Sequence, residues 1–164
     1  MKVRYSKTPL PRYWGDTMKG ADRALGLWDI RVTGGSRLFM KMAMFRNNRD
    51  LRYFWRHALG SSDLCSRTRG CVRNLATEVT DYSKGPDAKP FMEVDPRYFA
   101  VMGLIQGHTN DEILCHEAVH AAFAYAKRVG HRNLWAGART LDEEMICYPA
   151  GRIMRFVKNA IKDL

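Results

Sequence analysis

The chain has 164 residues, 46% hydrophobic and 27% charged, and its 27 Lys and Arg outnumber 17 Asp and Glu to leave a net charge of +10. That length suits one domain with its own hydrophobic core, and the composition is ordinary for a globular protein. No apolar run is long enough to cross a membrane, and the charged start from Met1 to Lys7 lacks the apolar stretch of a secretory signal.

Residues 1–25 carry Pro9, Pro11, Gly15 and Gly20 and read as an extended arm with a short helix. Residues 27–32 alternate and predict a strand, 33–36 a turn, and 38–45 a second strand antiparallel to the first. Asn47 or Asn48 caps a helix that runs to about Leu59 and is closed by Gly60. Residues 61–70 form a polar loop, and the Thr and Val content of 72–82 favours a strand. A loop over 83–90 leads to an apolar, β-branched run at 98–105 that reads as a buried strand. After a turn at 106–110, Thr109 or Asn110 caps a helix whose Ala-rich body spans 113–127. Residues 130–140 connect to a last helical region over 141–162, with a kink or restart expected at Pro149. The sum is an α+β fold: an antiparallel or mixed sheet with packed helices, all in a single domain over 1–164.

The charge is uneven. Residues 1–75 hold sixteen basic and five acidic side chains, a balance of +11, while 76–164 balance at −1. Such asymmetry fits contact with nucleic acid through the basic N-terminal half, or a solvated face that aids solubility. Within 46–56 basic and aromatic residues mix, but Leu51, Phe54 and Trp55 recur at helical spacing and are read as the core face of a helix. Cys65, Cys71, Cys115 and Cys147 include no CxxC pair, and Cys115 and Cys147 fall in helices expected to be buried. They read as reduced thiols of a cytoplasmic protein; five residues between Cys65 and Cys71 is loose for a zinc pair.

Residues 116–120 read His116-Glu117-Ala118-Val119-His120, an HExxH motif. Two histidines four apart on a helix share one face, so both imidazoles reach one metal ion. Glu117 follows the first ligand and stands beside the ion as general base toward a metal-activated water. Catalytic Zn²⁺ usually takes three protein ligands, so a third is needed. A metzincin continuation is excluded, because Phe123 and Ala126 stand where that pattern has Gly and His. The remaining candidates are His131 and the acidic group Asp142, Glu143 and Glu144, which also suits the positive end of a helix.

The HEAVH motif followed by an acidic pair resembles the gluzincin type of zinc metallopeptidase. The string Glu143-Glu144-Met145-Ile146-Cys147-Tyr148 is similar to one in small phage-encoded metallopeptidases, and the resemblance covers about residues 94–164. It implies a zincin-like minimal metallopeptidase domain, with Glu144 as third ligand and Glu143 as the fallback. It also implies the host bacterial cytoplasm as location. His131 with Trp135 is similar to SprT-like zinc proteins, DNA-associated proteases whose third ligand is a later histidine, although the spacing here is shorter.

The expected function is a zinc-dependent metallopeptidase acting on a protein or peptide. Glu117 takes a proton from water and passes it to the leaving amine. Tyr148, Tyr125 and His131 are candidates to steady the oxyanion, and Tyr148 alternatively braces a ligand. The strand over 98–105 is expected to offer an edge to an extended peptide. The alternative is a non-catalytic zinc protein associated with DNA or a protein partner.

Overall fold

The computed structural model describes residues 2–5, 20–32, 37–60, 63–79, 83, 85, 91–95, 97–129, 144–162 and 164, with the backbone alone for 2–5, 76–79 and 91–94. The fold is α+β. Strands β2 (Ala24–Arg31), β3 (Phe39–Phe45), β7 (Tyr98–Ile105) and β4 (Gly70–Asn74) make a mixed sheet in the order β2-β3-β7-β4. The inner pair β3 and β7 is parallel, and the outer strands β2 and β4 run antiparallel to their neighbours. A second sheet joins β1 (Lys2–Tyr5), β6 (Phe91–Val94) and β5 (Ala76–Val79) in the order β1-β6-β5.

Helices cover both faces of the larger sheet. Helix α1 (Asn48–Leu59) lays Leu51, Phe54 and Trp55 against Ala43, Phe45, Val101 and Ile105. The opposite face carries α2 (Asp111–Arg128) and α3 (Glu144–Ala160), packed on Met40, Met42, Met44, Met102 and Leu104. The alternation along β3 sends Met40, Met42 and Met44 to one core and Ala43 and Phe45 to the other. Every residue of β7 is buried, which is why its sequence runs apolar without alternating.

The local signals of α1 act as expected. The Asn47 side chain accepts the Asp50 N–H at 3.0 Å, and Gly60 closes the helix at φ 64°. Four expectations are corrected. First, β7 is not an edge: it is paired on both sides, and β4 is the edge beside it among the described residues. Second, the strand expected over 72–82 is two strands. Buried Leu75 interrupts it, donating its N–H to Phe99 O at 3.0 Å and accepting from the Asp95 N–H at 3.3 Å. Third, Cys115 and Cys147 are exposed, because each lies on the helix face turned from the sheet; all four cysteines are free. Fourth, of the kink or restart expected at Pro149 the restart is overturned, because α3 runs on through it as one helix. Sequence reading also missed β1 and β6, where the chain offers short runs with no turn pattern of their own. The expected elements over 33–36 and 130–140 lie outside the described residues.

Helices α2 and α3 run antiparallel. Lys158, near the end of α3, bonds Asp111 at the start of α2 at 2.7 Å, and Gln106 Nε2 donates to Leu164 O at 3.1 Å. Ile153 and Val157 are fully buried in that seam, and five alanines of α2 (Ala118, Ala121, Ala122, Ala124 and Ala126) let the layers approach closely. No helix among the described residues is long and apolar enough to cross a membrane.

Candidate metal centre

Strand β7 feeds α2 through a short turn. Gly107 there adopts φ 77°, Thr109 Oγ1 donates to Ile105 O at 2.9 Å, and the Asn110 side chain accepts the Ile113 N–H at 2.9 Å. Asp111 and Glu112 occupy the positive first turn. This cap sets the rotation of α2, and the rotation decides where each motif side chain goes.

His116 and His120 lie on the exposed face, one turn apart. Their Nε2 atoms are 3.1 Å apart, with ring centroids at 4.6 Å and the ring planes inclined by 78°. Two nitrogens bound at about 2.0–2.1 Å to one tetrahedral ion would stand about 3.3 Å apart, so the pair is set close to the spacing a shared ion requires. The same distance suits one N–H···N hydrogen bond in which one ring carries the Nε2 proton. A metal needs both Nε2 atoms bare and the protons on Nδ1. The donor set therefore fits a zinc ion as two of its ligands.

Glu117, the residue after His116, turns inward between α2 and strand β4 and is 6% exposed. It rests against Gly70, the first residue of edge strand β4. A Cβ placed on Gly70 would lie 2.9 Å from Glu117 Cγ and 3.1 Å from Ile113 Cγ2, so only glycine lets the carboxylate sit there. Burial pushes the Glu117 carboxyl above its ordinary value, and the neighbouring His116 charge partly opposes it. Cys71, next along β4, feels the same site: burial first, and then the Glu117 charge, push its thiol up.

A cleft of about 340 Å³ opens here, walled by Arg67, Arg69, Gly70, Ile113, His116 and Glu117 among others. Its two arginines and Gly70 escaped sequence reading. Gly70 carried one usable signal, since a glycine at a strand marks close approach by another chain segment.

No family model, curated protein or solved structure matches the chain. The gluzincin resemblance thus rests on the motif residues themselves.

Glu144 is the exposed first residue of α3. Among the described residues, no three His, Cys, Asp or Glu side chains converge to hold an ion, so Glu144 is not assembled with the two histidines. The antiparallel seam bears on this: the end of α3 pairs with the start of α2 through Lys158 and Asp111, so the start of α3 lies toward the far end of α2. Tyr148 is 67% exposed and Tyr125 is buried, edge-on to Phe99 with centroids 5.2 Å apart. Neither walls the cleft. His131, Trp135, Asp142 and Glu143 lie outside the described residues.

Proposed function

We propose that the protein is a zinc-dependent peptidase of zincin-like design, with His116 and His120 as metal ligands and Glu117 as general base. The observation that carries this reading is the convergence of the two Nε2 atoms to 3.1 Å, with a buried carboxylate on the next residue lining the adjoining cleft. A structural metal site has no use for such a base, and a buried carboxylate at the wall of a cleft, which costs stability when charged, is a common mark of a functional site.

A zinc ion held there would acidify a water and polarise a carbonyl oxygen. Glu117 receives the proton, a task suited by burial that raises its affinity for one, and returns it to the leaving amine. The edge of β4 runs from Gly70 beside Glu117, so an extended peptide adding to that edge by main-chain hydrogen bonds would pass the base. Glu144 stays the first choice of third ligand on the motif resemblance, but it stands apart from the two histidines in this structure, so its use requires α3 to shift when metal binds; Glu143 and His131 are the competing positions. Four free cysteines suit a reducing compartment such as the bacterial cytoplasm.

Incubating zinc-loaded protein with a bacterial lysate and mapping new peptide ends tests the proposal. New ends should appear with the parent and be missing with Glu117→Gln; equal cleavage by both removes the assignment.

A further inference from the structure

Six guanidinium groups, those of Arg46, Arg49, Arg52, Arg56, Arg67 and Arg69, are exposed on the side of the sheet that carries α1 or on the loop beside it. None makes an ion pair with a described carboxylate. Arg49, Arg52 and Arg56 are spaced by three and four along α1, which places them in one row on its outer face. They line a groove of about 420 Å³ that also holds Tyr53 and His57. A second groove of about 330 Å³ continues it, sharing the Asn48 wall, and contains Arg46, Arg67 and Arg69. Arg67 and Arg69 are in turn walls of the cleft that holds His116 and Glu117. Three concavities thus form one basic track, from the outer face of α1 to the mouth of the candidate metal centre.

We propose that this track binds a single-stranded nucleic acid and leads it to the rim of the His116–Glu117 cleft. A row of like charges without counter-ions is matched by a regular polyanion, and the planar guanidinium fork pairs with phosphate in bidentate fashion. The second feature separates nucleic acid from an acidic peptide. The Tyr53 ring is covered by the Arg23 guanidinium at 3.7 Å and adjoined by the exposed His57 ring at 4.3 Å with the planes tilted by 44°, so the groove offers a base the outer faces of His57 and of the guanidinium. Unpaired bases stack on such surfaces, whereas carboxylate side chains gain nothing from them. A duplex keeps its base faces inside and cannot use the stack. Asp50 does not neutralise the row, because it is engaged by Arg23 at 3.4 Å and by Asn47 Nδ2 at 2.9 Å. This inference stands whether or not the metal centre is catalytic.

Fluorescence anisotropy of labelled oligo-dT and oligo-rU with the full chain tests it, the two strands separating DNA from RNA preference. At least one should bind and weaken roughly a hundredfold between about 50 and 200 mM salt if about five phosphates are neutralised. Two double variants, Arg52→Ala with Arg56→Ala and Arg67→Ala with Arg69→Ala, should each weaken binding about tenfold and flatten the salt slope. Arg152→Ala with Arg155→Ala, on exposed α3 across the sheet, should change nothing. The substituted side chains are all exposed, and a thermal melt like the parent's shows that each variant is folded. The proposal is overturned if neither strand binds at low salt or if both track variants bind like the parent. It is equally overturned if an oligo-glutamate peptide or a blunt duplex competes as well as the single strand.

Discussion

Gly70 and Glu117 are in contact across the gap between edge strand β4 and helix α2: a methyl on Gly70 would come within 2.9 Å of Glu117 Cγ. The φ of Gly70 is not positive, so backbone strain is not the issue; the constraint is space. Gly70→Ala should therefore displace Glu117 or push β4 outward, costing about 1–3 kcal/mol in stability. Urea denaturation measures the cost, and the proposed peptidase activity should drop with it. A variant as stable and as active as the parent would show that the carboxylate is not held by this contact.

Glu117 should act against stability in the metal-free protein. Its native pKa is raised by burial, so ionising it costs the folded state. That cost is absent below the unfolded value of about 4.3 and grows as pH climbs through it toward the native value. In chelator at neutral pH, Glu117→Gln should melt above the parent, and the gap should close as pH falls toward about 4. Melting curves across that range decide it; a Gln variant that melts lower throughout would mean the carboxylate is stabilised by a partner.

Zinc content separates the ligands. If zinc binds as proposed, His116→Ala and His120→Ala should each lose it, since removing either imidazole breaks the chelate the two form together. Glu144→Ala, Glu143→Ala and His131→Ala then compete for the third position, and the assignment to Glu144 predicts that the first loses zinc and the others keep it. Metal analysis of purified proteins reads the answer directly; full zinc in Glu144→Ala moves the role to another residue.

Tyr98 predicts an alkaline weakening. Its hydroxyl donates to Asp29 Oδ2 at 3.0 Å, and burial, then the Asp29 charge, push its ionisation up to about 12. Free tyrosine ionises near about 10. Between those values the unfolded chain has lost a proton that the native one keeps, so stability falls as pH rises through that window and is unaffected below it. Tyr98→Phe should lose about 1 kcal/mol at neutral pH with the hydrogen bond, and its stability should decline less above about pH 10. Denaturation midpoints at neutral and alkaline pH test both parts.

Sequence was sufficient wherever the deciding physics spans one helical turn or one unbroken run. The Asn47 and Gly60 ends of α1, the Asn110 cap of α2, and the placing of His116 and His120 on one face all follow from local hydrogen bonding and the helical period. The uninterrupted apolar stretch of β7 marks a strand buried on both faces.

Pairing and packing between distant segments were settled only in three dimensions. That β4 rather than β7 is paired on one side only among the described residues, that Gly70 accommodates Glu117, and that Arg67 and Arg69 reach the cleft each depend on contacts between residues far apart in the chain. The same holds for the exposure of Cys115 and Cys147, which is set by the rotation of their helices against the sheet. Residue spacing within a helix places two imidazoles, but the position of an acid on another helix is fixed by how the two helices slide past each other. Here the Lys158–Asp111 pairing marks that register, which no repeat in the chain encodes.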